Sequence, residues 1–219
     1  MRVIAFLGGA VCLAGVARCD LINVQSTNRY VFASAVAGGG STNPAYVFGP
    51  VAGPWSYSLT VPSYGPNGSY SYSTASQDST IGGSAITGSY ALNNIVSSFG
   101  GGGQASSHLS VQFRLDEPVT YGASASSNHT APNLYDVFSY QLSWSGGMVF
   151  SVTPTMGAPF EGSGQLEPGV YTLNYRINMN GSNFNGVAQS DFHVAPVPSP
   201  GLLAMAGLGV LVLGRRASH

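Results

Sequence analysis

The chain contains no lysine, and charged residues make up only 7% of it. All seven basic residues are arginines, and four of them, Arg2, Arg18, Arg215 and Arg216, sit at the two extremes. The stretch between, residues 20–195, keeps Arg29, Arg114 and Arg176 against eight carboxylates, a formal −5. Three scattered arginines form no basic stripe, which argues against nucleic-acid binding and against a polybasic contact with anionic lipid. Cysteine is nearly absent as well. Cys12 and Cys19 both fall within residues 1–19, so the rest of the chain has neither disulfide nor thiolate chemistry. Export without disulfides is ordinary for a bacterial surface protein and less usual for a small secreted eukaryotic domain.

Helix signals are scarce between the ends, and period-two alternation replaces them. Leu109, Val111, Phe113 and Leu115 alternate with Ser110, Gln112, Arg114 and Asp116. After Pro118, Val119, Tyr121, Ala123 and Ala125 alternate with small polar residues, as do Phe138, Tyr140, Leu142 and Trp144. Gly146 and Gly147 turn the chain into Met148, Phe150 and Val152. Pro168 and Gly169 set a further turn, with a positive φ available at Gly169, before Tyr171, Leu173, Tyr175, Ile177 and Met179 share one face. The loop 180–186 leads to Ser190, Phe192 and Val194. Earlier, Trp55, Tyr57, Leu59 and Val61 alternate with Ser56, Ser58 and Thr60.

Strands with one apolar and one small polar face build antiparallel sheets that pack in pairs. The expected fold is an all-β, antiparallel β-sandwich, jelly-roll-like, of about eight to twelve strands over residues 20–195. A solenoid requires a fixed repeat, and none occurs. A membrane barrel requires outward aromatic girdles and about ten-residue strands throughout. Residues 37–54 and 97–107 read as flexible, and residues 64–76 read as a polar strand or mobile hairpin.

Catalytic constellations are missing. No serine stands in a Gly-x-Ser-x-Gly elbow before a helix, and Gly162, Ser163 and Gly164 read as a plain loop. His193 falls on the polar face of the last strand, where it is solvated. No histidine or cysteine pair has metal-ligand spacing. The adjacent acids Asp116 and Glu117 need further loop oxygens to hold Ca²⁺. No cofactor motif is present, since the glycines at 100–103 have neither a helix start nor a lysine after them. The triplets at Asn67, Asn128 and Asn180 have glycan-acceptor form, which Gly/Ser/Asn-rich sequence also produces by chance. The aromatic residues are more numerous than a small core needs, and planar rings on a sheet face suit sugars.

The two ends carry the strongest signals. Met1 and Arg2 precede an apolar run from Val3 to Val16, and small residues at Ala17 and Cys19 suit signal-peptidase cleavage before Asp20. A lipoprotein signal requires a small residue before the modified cysteine; Cys19 follows Arg18 and Cys12 follows Val11. At the other end, Val197-Pro198-Ser199-Pro200-Gly201 leads into a 14-residue apolar run, Gly201 to Gly214, capped by Arg215 and Arg216. A lasting span requires about 17–20 apolar residues, and the prolines block extension backwards. The arginines favour a cytoplasmic end. Residues 196–219 therefore form a tripartite segment: polar Pro-containing motif, apolar helix, basic cap.

This segment resembles the PEP-CTERM sorting signal of Gram-negative bacteria, which exosortase-type membrane enzymes recognise. Ser199 stands where the usual motif has glutamate, and such Pro-x-Pro-Gly variants look like planctomycete-type forms. The resemblance implies signal peptidase and an exosortase-type enzyme as partners, a transient or C-terminal membrane anchor, and a final place at the cell surface or outside the cell. The run from Leu166 to Leu173 also resembles a turn-and-strand phrase of exported bacterial β-sandwiches. The expectation is a non-enzymatic exported surface or extracellular-matrix protein. The alternative is a carbohydrate-binding module using Trp55 or Trp144 to meet extracellular polysaccharide, with an enzyme third.

Overall fold

Period-two side-chain patterning carries the chain through twelve strands in the described residues of the computed structural model, which are 20–39, 42–97, 101–130, 137–153 and 159–197. They are β1 (Asn23–Val36), β2 (Asn43–Phe48), β3 (Gly53–Tyr64), β4 (Tyr70–Ile81), β5 (Ala85–Val96) and β6 (Gly102–Leu115). Then follow β7 (Val119–Thr130), β8 (Val137–Trp144), β9 (Gly147–Val152), β10 (Phe160–Leu166), β11 (Gly169–Gly181) and β12 (Phe184–Pro196). A 3₁₀ turn, Pro66–Gly68, joins β3 to β4.

The strands form two six-stranded antiparallel sheets, ordered β2-β1-β6-β11-β8-β9 and β10-β7-β12-β5-β4-β3. At their centres β6 pairs with β11 and β12 with β5. Along the described strands the chain changes sheet repeatedly, from β2 to β3, from β5 through β6 and β7 to β8, and from β9 through β10 and β11 to β12, so the two sheets are wound together. Residues on the facing sides make one continuous core, which runs from Ile22 to Val194. Leu109, Val111, Phe113 and Leu115 are buried, as are Tyr171, Leu173, Tyr175, Ile177 and Met179. Burial of each large side chain contributes about 2 kcal/mol, which rewards the alternation. Tyr90 and Tyr175 stack across the interface with ring centres 4.1 Å apart. The Tyr140 hydroxyl donates to the carbonyl of Asp191, 2.8 Å away in the opposite sheet.

Several details depart from the alternation rule. In β4 three of the four serines face the core and the tyrosines face out. Ser71, Ser73, Gln77 and Ser79 are buried, while Tyr70 is exposed. Their hydroxyls are satisfied across the gap: Ser73 donates to the Gln104 carbonyl at 2.9 Å, and Ser107 donates to Gln77 Oε1 at 2.9 Å. Partnered serine hydroxyls make a polar face buriable. Segment 37–54 contains strand β2, and β6 begins at Gly102, so these parts of the stretches expected to be flexible are sheet. The expected loop at 180–186 shrinks to Ser182 and Asn183, because β11 runs to Gly181 and β12 starts at Phe184. The positive φ occurs at Gly181 (154°), not at Gly169, so the tight turn rather than the strand start uses the glycine.

One buried charge organises the β2–β3 crossing. Arg29 is only 1% exposed and points between the sheets. Its Nε donates to the Pro50 carbonyl at 2.9 Å, Nη1 to Gly53 at 3.0 Å and Nη2 to Ala52 at 3.2 Å. The guanidinium fork suits such a fan of acceptors, and the charge strengthens each bond. Among the described residues no helix is long and apolar enough to cross a membrane.

Candidate functional site

Two outward faces carry the chemistry that the fold leaves accessible. The outer face of the first sheet holds an aromatic platform on β1, β2 and β6. Antiparallel register places Tyr30 beside Phe48 and His108, and Phe32 beside Tyr46 and Ser106. These residues share a face because pairing partners always do. Tyr46 and Phe48 are 58% and 68% exposed, and their rings lie within 11° of parallel with centres 6.5 Å apart. Tyr30 packs against Phe48 (5.9 Å) and His108 (5.1 Å), and Phe32 against Tyr46 (4.5 Å). Next along the sheet come Arg176 and Asn178 of β11. Burial, with Arg176 beside it, holds His108 below the ordinary histidine pKa, so its ring is neutral at pH 7. Its Nδ1 and the Ser106 hydroxyl are buried without a hydrogen-bond partner among the described residues.

The outer face of the second sheet forms a shallow groove of about 490 Å³. Serines line its floor, and Asp78, Glu161 and Asp191 supply carboxylates. Glu161 pairs with Ser124 of β7, and Ser124 with Asp191 of β12, so the two acids stand two strands apart on one face. Asp191 also accepts from His193 Nδ1 at 2.9 Å, between side chains that are both substantially exposed. A smaller hollow of about 250 Å³ adjoins it and shares Asp78 and Ser89. The groove thus presents hydroxyl donors and acceptors beside carboxylate acceptors. Among the described residues no group of three histidine, cysteine or acidic side chains is placed to hold a metal ion.

The sequence-derived candidates distribute as follows. Ala17, Cys19, Pro198, Ser199, Pro200, Gly201, Arg215 and Arg216 lie outside the described residues. Asp20 is exposed and packs beside Gly83, and Val197 is half-buried just past β12. Asp116 is exposed and paired with Arg114 at 2.8 Å. Ser163 belongs to β10, not to a loop. His193 is exposed as expected, with Asp191 as its partner.

The two tryptophans sit differently. Trp55 is half-buried, stacked on Tyr57 at 6.3 Å and lying against Gly49 and the Arg29 guanidinium. Trp144 is 50% exposed but folds over Gly146 of the β8–β9 turn. Tyr46 and Phe48 are more exposed than either tryptophan, and the sequence pattern did not single them out. Their signal was the alternation Ala45, Tyr46, Val47, Phe48, obscured because both faces of that strand are apolar. No protein-family model matches the chain, and neither a curated protein nor a solved structure matches it.

Proposed function

We propose that this is a non-enzymatic exported surface or extracellular-matrix protein, sorted through its C-terminal tripartite segment. On this reading residues 1–19 are a signal peptide, cut between Cys19 and Asp20. Residues 196–219 engage an exosortase-type enzyme through Val197 to Gly201, the short apolar helix and the Arg215–Arg216 cap. The chain is anchored in the inner membrane in transit and then reaches the surface or the medium. The jelly-roll-like winding of the body belongs to the same proposal, supported by the repeated changes of sheet along the chain. The observation that carries the reading is the order of parts over residues 197–216, a Pro-containing motif, a 14-residue apolar run and paired arginines, with the leader-like run Val3 to Val16 at the other end. The low-charge, lysine-free composition of that body agrees with it.

Expression of an internally tagged chain, followed by fractionation and mass measurement, tests this. The expected product is extracytoplasmic and shortened at both ends. Replacing Arg215 and Arg216 by serine, or residues 198–200 by alanine, is expected to trap the C-terminally unprocessed form. A cytoplasmic, full-mass product overturns the proposal.

A second reading is a polysaccharide-binding module at the cell surface, favoured by the near-parallel exposed rings of Tyr46 and Phe48. Ring faces meet the C–H face of a sugar, and the neighbouring amides and hydroxyls meet its hydroxyl groups. Glycan-array binding that is lost in Tyr46→Ala and kept in Trp55→Phe supports it. Absence of binding to any polysaccharide removes it.

A further inference from the structure

The four sheet edges are defended unequally. Edge strand β3 contains Pro54 and Pro62, which cannot donate to an added strand. Edge strand β10 carries the charge of Glu161 between Phe160 and two glycines. Edge strand β9 is displaced by a register shift opposite Leu142 and Ser143. Charges, prolines and bulges are the devices that keep sheet edges from pairing with other chains. Strand β2 has only Pro44, near its start. The rest of it is regular, uncharged and apolar on both faces, with Tyr46 and Phe48 strongly exposed.

The direction of its free backbone groups follows from one bond. The Gly49 amide donates to the Arg29 carbonyl at 2.8 Å, continuing the β1–β2 register. Alternation in an antiparallel ladder then turns Val47, Ala45 and Asn43 towards β1. It turns the backbone N–H and C=O groups of Tyr46 and Phe48 towards the open edge.

We propose that β2 is the association edge for a second copy of this chain, joined antiparallel about a two-fold axis at Val47. In that register Tyr46 of one copy exchanges two backbone bonds with Phe48 of the other, and Phe48 does the same with Tyr46. All four outward donors and acceptors are thereby used. Tyr46 lies opposite Phe48 on the outer face, a favourable cross-strand aromatic pair, and Val47 lies opposite Val47 on the core side. Of the six residues of β2, Tyr46 to Phe48 are self-complementary in this register, which makes a like chain the occupant, and an isologous two-fold pair closes on itself. The first sheets then form one twelve-stranded sheet. A short edge buries less than a standard interface, so the dimer is reversible and concentration-dependent. The inference goes beyond the export reading and does not rest on it.

Sedimentation of the purified full chain over a range of concentrations tests it. The expected result is a monomer–dimer equilibrium. Tyr46→Pro or Phe48→Pro removes one outward N–H without touching the β1–β2 ladder, and is expected to weaken the dimer at least tenfold with an unchanged circular dichroism spectrum. Cross-linking keeps the proposal falsifiable should those variants fold poorly. Val47 faces its symmetry mate as a pair without mutual backbone bonds, with Cα atoms about 4.5 Å apart, within disulfide reach. Val47→Cys, in a Cys12→Ser/Cys19→Ser chain, is expected to form a covalent dimer on mild oxidation, and Ala45→Cys is not. A chain that stays monomeric at all concentrations overturns the proposal. So does a dimer insensitive to Phe48→Pro in which Val47→Cys does not cross-link.

Discussion

The Arg29 guanidinium lies 5.8 Å from the centre of the Trp55 ring, and the same guanidinium holds the carbonyls of Pro50, Ala52 and Gly53. One side chain therefore ties the β2–β3 crossing to β1. Arg29→Ala removes the donor of those carbonyls together with the buried packing of the guanidinium against Trp55, which costs about 3 kcal/mol. Arg29→Lys retains the charge but not the fork, and is expected to lose roughly half as much. Thermal unfolding of the two variants beside the parent checks both values. A loss below about 1 kcal/mol for Arg29→Ala removes this residue as the organiser of the crossing.

Two of the buried tyrosines separate by what their hydroxyls touch. Tyr140 donates to the Asp191 carbonyl at 2.8 Å, whereas the Tyr175 hydroxyl is buried with no partner among the described residues. Removal of an unpaired buried hydroxyl relieves a desolvation penalty, and removal of a paired one orphans its acceptor. Tyr175→Phe is therefore expected to stabilise by about 0.5–1 kcal/mol, and Tyr140→Phe to destabilise by about 1 kcal/mol. Denaturant titration of each single variant distinguishes the signs.

How much of this was legible in the sequence varies by strand. Strands β6 and β11 are central and half-apolar, so Leu109 to Leu115 and Tyr171 to Met179 alternate cleanly and predict their buried faces correctly. Strand β2 was lost within a stretch read as flexible, because Ala45 and Val47 back the core while Tyr46 and Phe48 are apolar as well. The buried run Val31 to Ala35 of β1 hides its period for the same reason, since both of its faces are covered. In β4 hydrophobicity points the wrong way. Its inward serines are buried because Gln104 and Gln77 supply partners more than 25 residues away in sequence, or on the same strand, and its tyrosines are left outside. The aromatic platform inherits this difficulty, being assembled from β1, β2 and β6 by register alone.

Alkaline pH tests the tyrosine core as a unit. Burial raises the pKa of Tyr90, Tyr140 and Tyr175, in each case with desolvation as the largest cause. A raised folded pKa means that the folded state holds its proton more tightly than the unfolded chain does. Stability is therefore full below the unfolded value of about 10 and falls as pH rises above it. The expected result is cooperative unfolding above about pH 10, with tyrosinate absorbance from these three rings appearing only together with loss of the β-sheet spectrum. Gradual ionisation in a still-folded protein contradicts their burial.

The acid side tests His108. Burial first, and the charge of Arg176 second, lower its pKa in the folded protein. Tyr30 covers one side of the ring, and Arg176 is its register neighbour in β11. The unfolded chain then binds the proton more readily, so stability present above about pH 6.5 is lost as pH falls through the lowered value. His108→Gln is expected to flatten the first part of the acid limb, below about pH 6.5, and to leave the carboxylate part unchanged. Urea midpoints measured from neutral pH downwards read this directly, and parallel curves for parent and variant sink the assignment.

The buried polar chain between the sheets offers a test of coupling rather than of single bonds. Ser107 donates to Gln77 Oε1 at 2.9 Å, Gln77 Nε2 donates to Ser79 Oγ at 3.1 Å, and Arg29 reaches the same Ser79 hydroxyl at 3.5 Å. Gln77 thus joins β6 of one sheet to the inner face of the other. Gln77→Leu leaves Ser107 as a buried hydroxyl without its acceptor, which costs about 2 kcal/mol. Ser107→Ala alone frees the Gln77 oxygen and costs about 1 kcal/mol. With both replaced, no orphan remains between them, and the loss is expected to fall short of the sum by about 1 kcal/mol or more. A double-mutant cycle on unfolding free energies measures that shortfall. Strict additivity means that the two side chains do not share their bond, and the polar interior of β4 then needs another source of satisfaction.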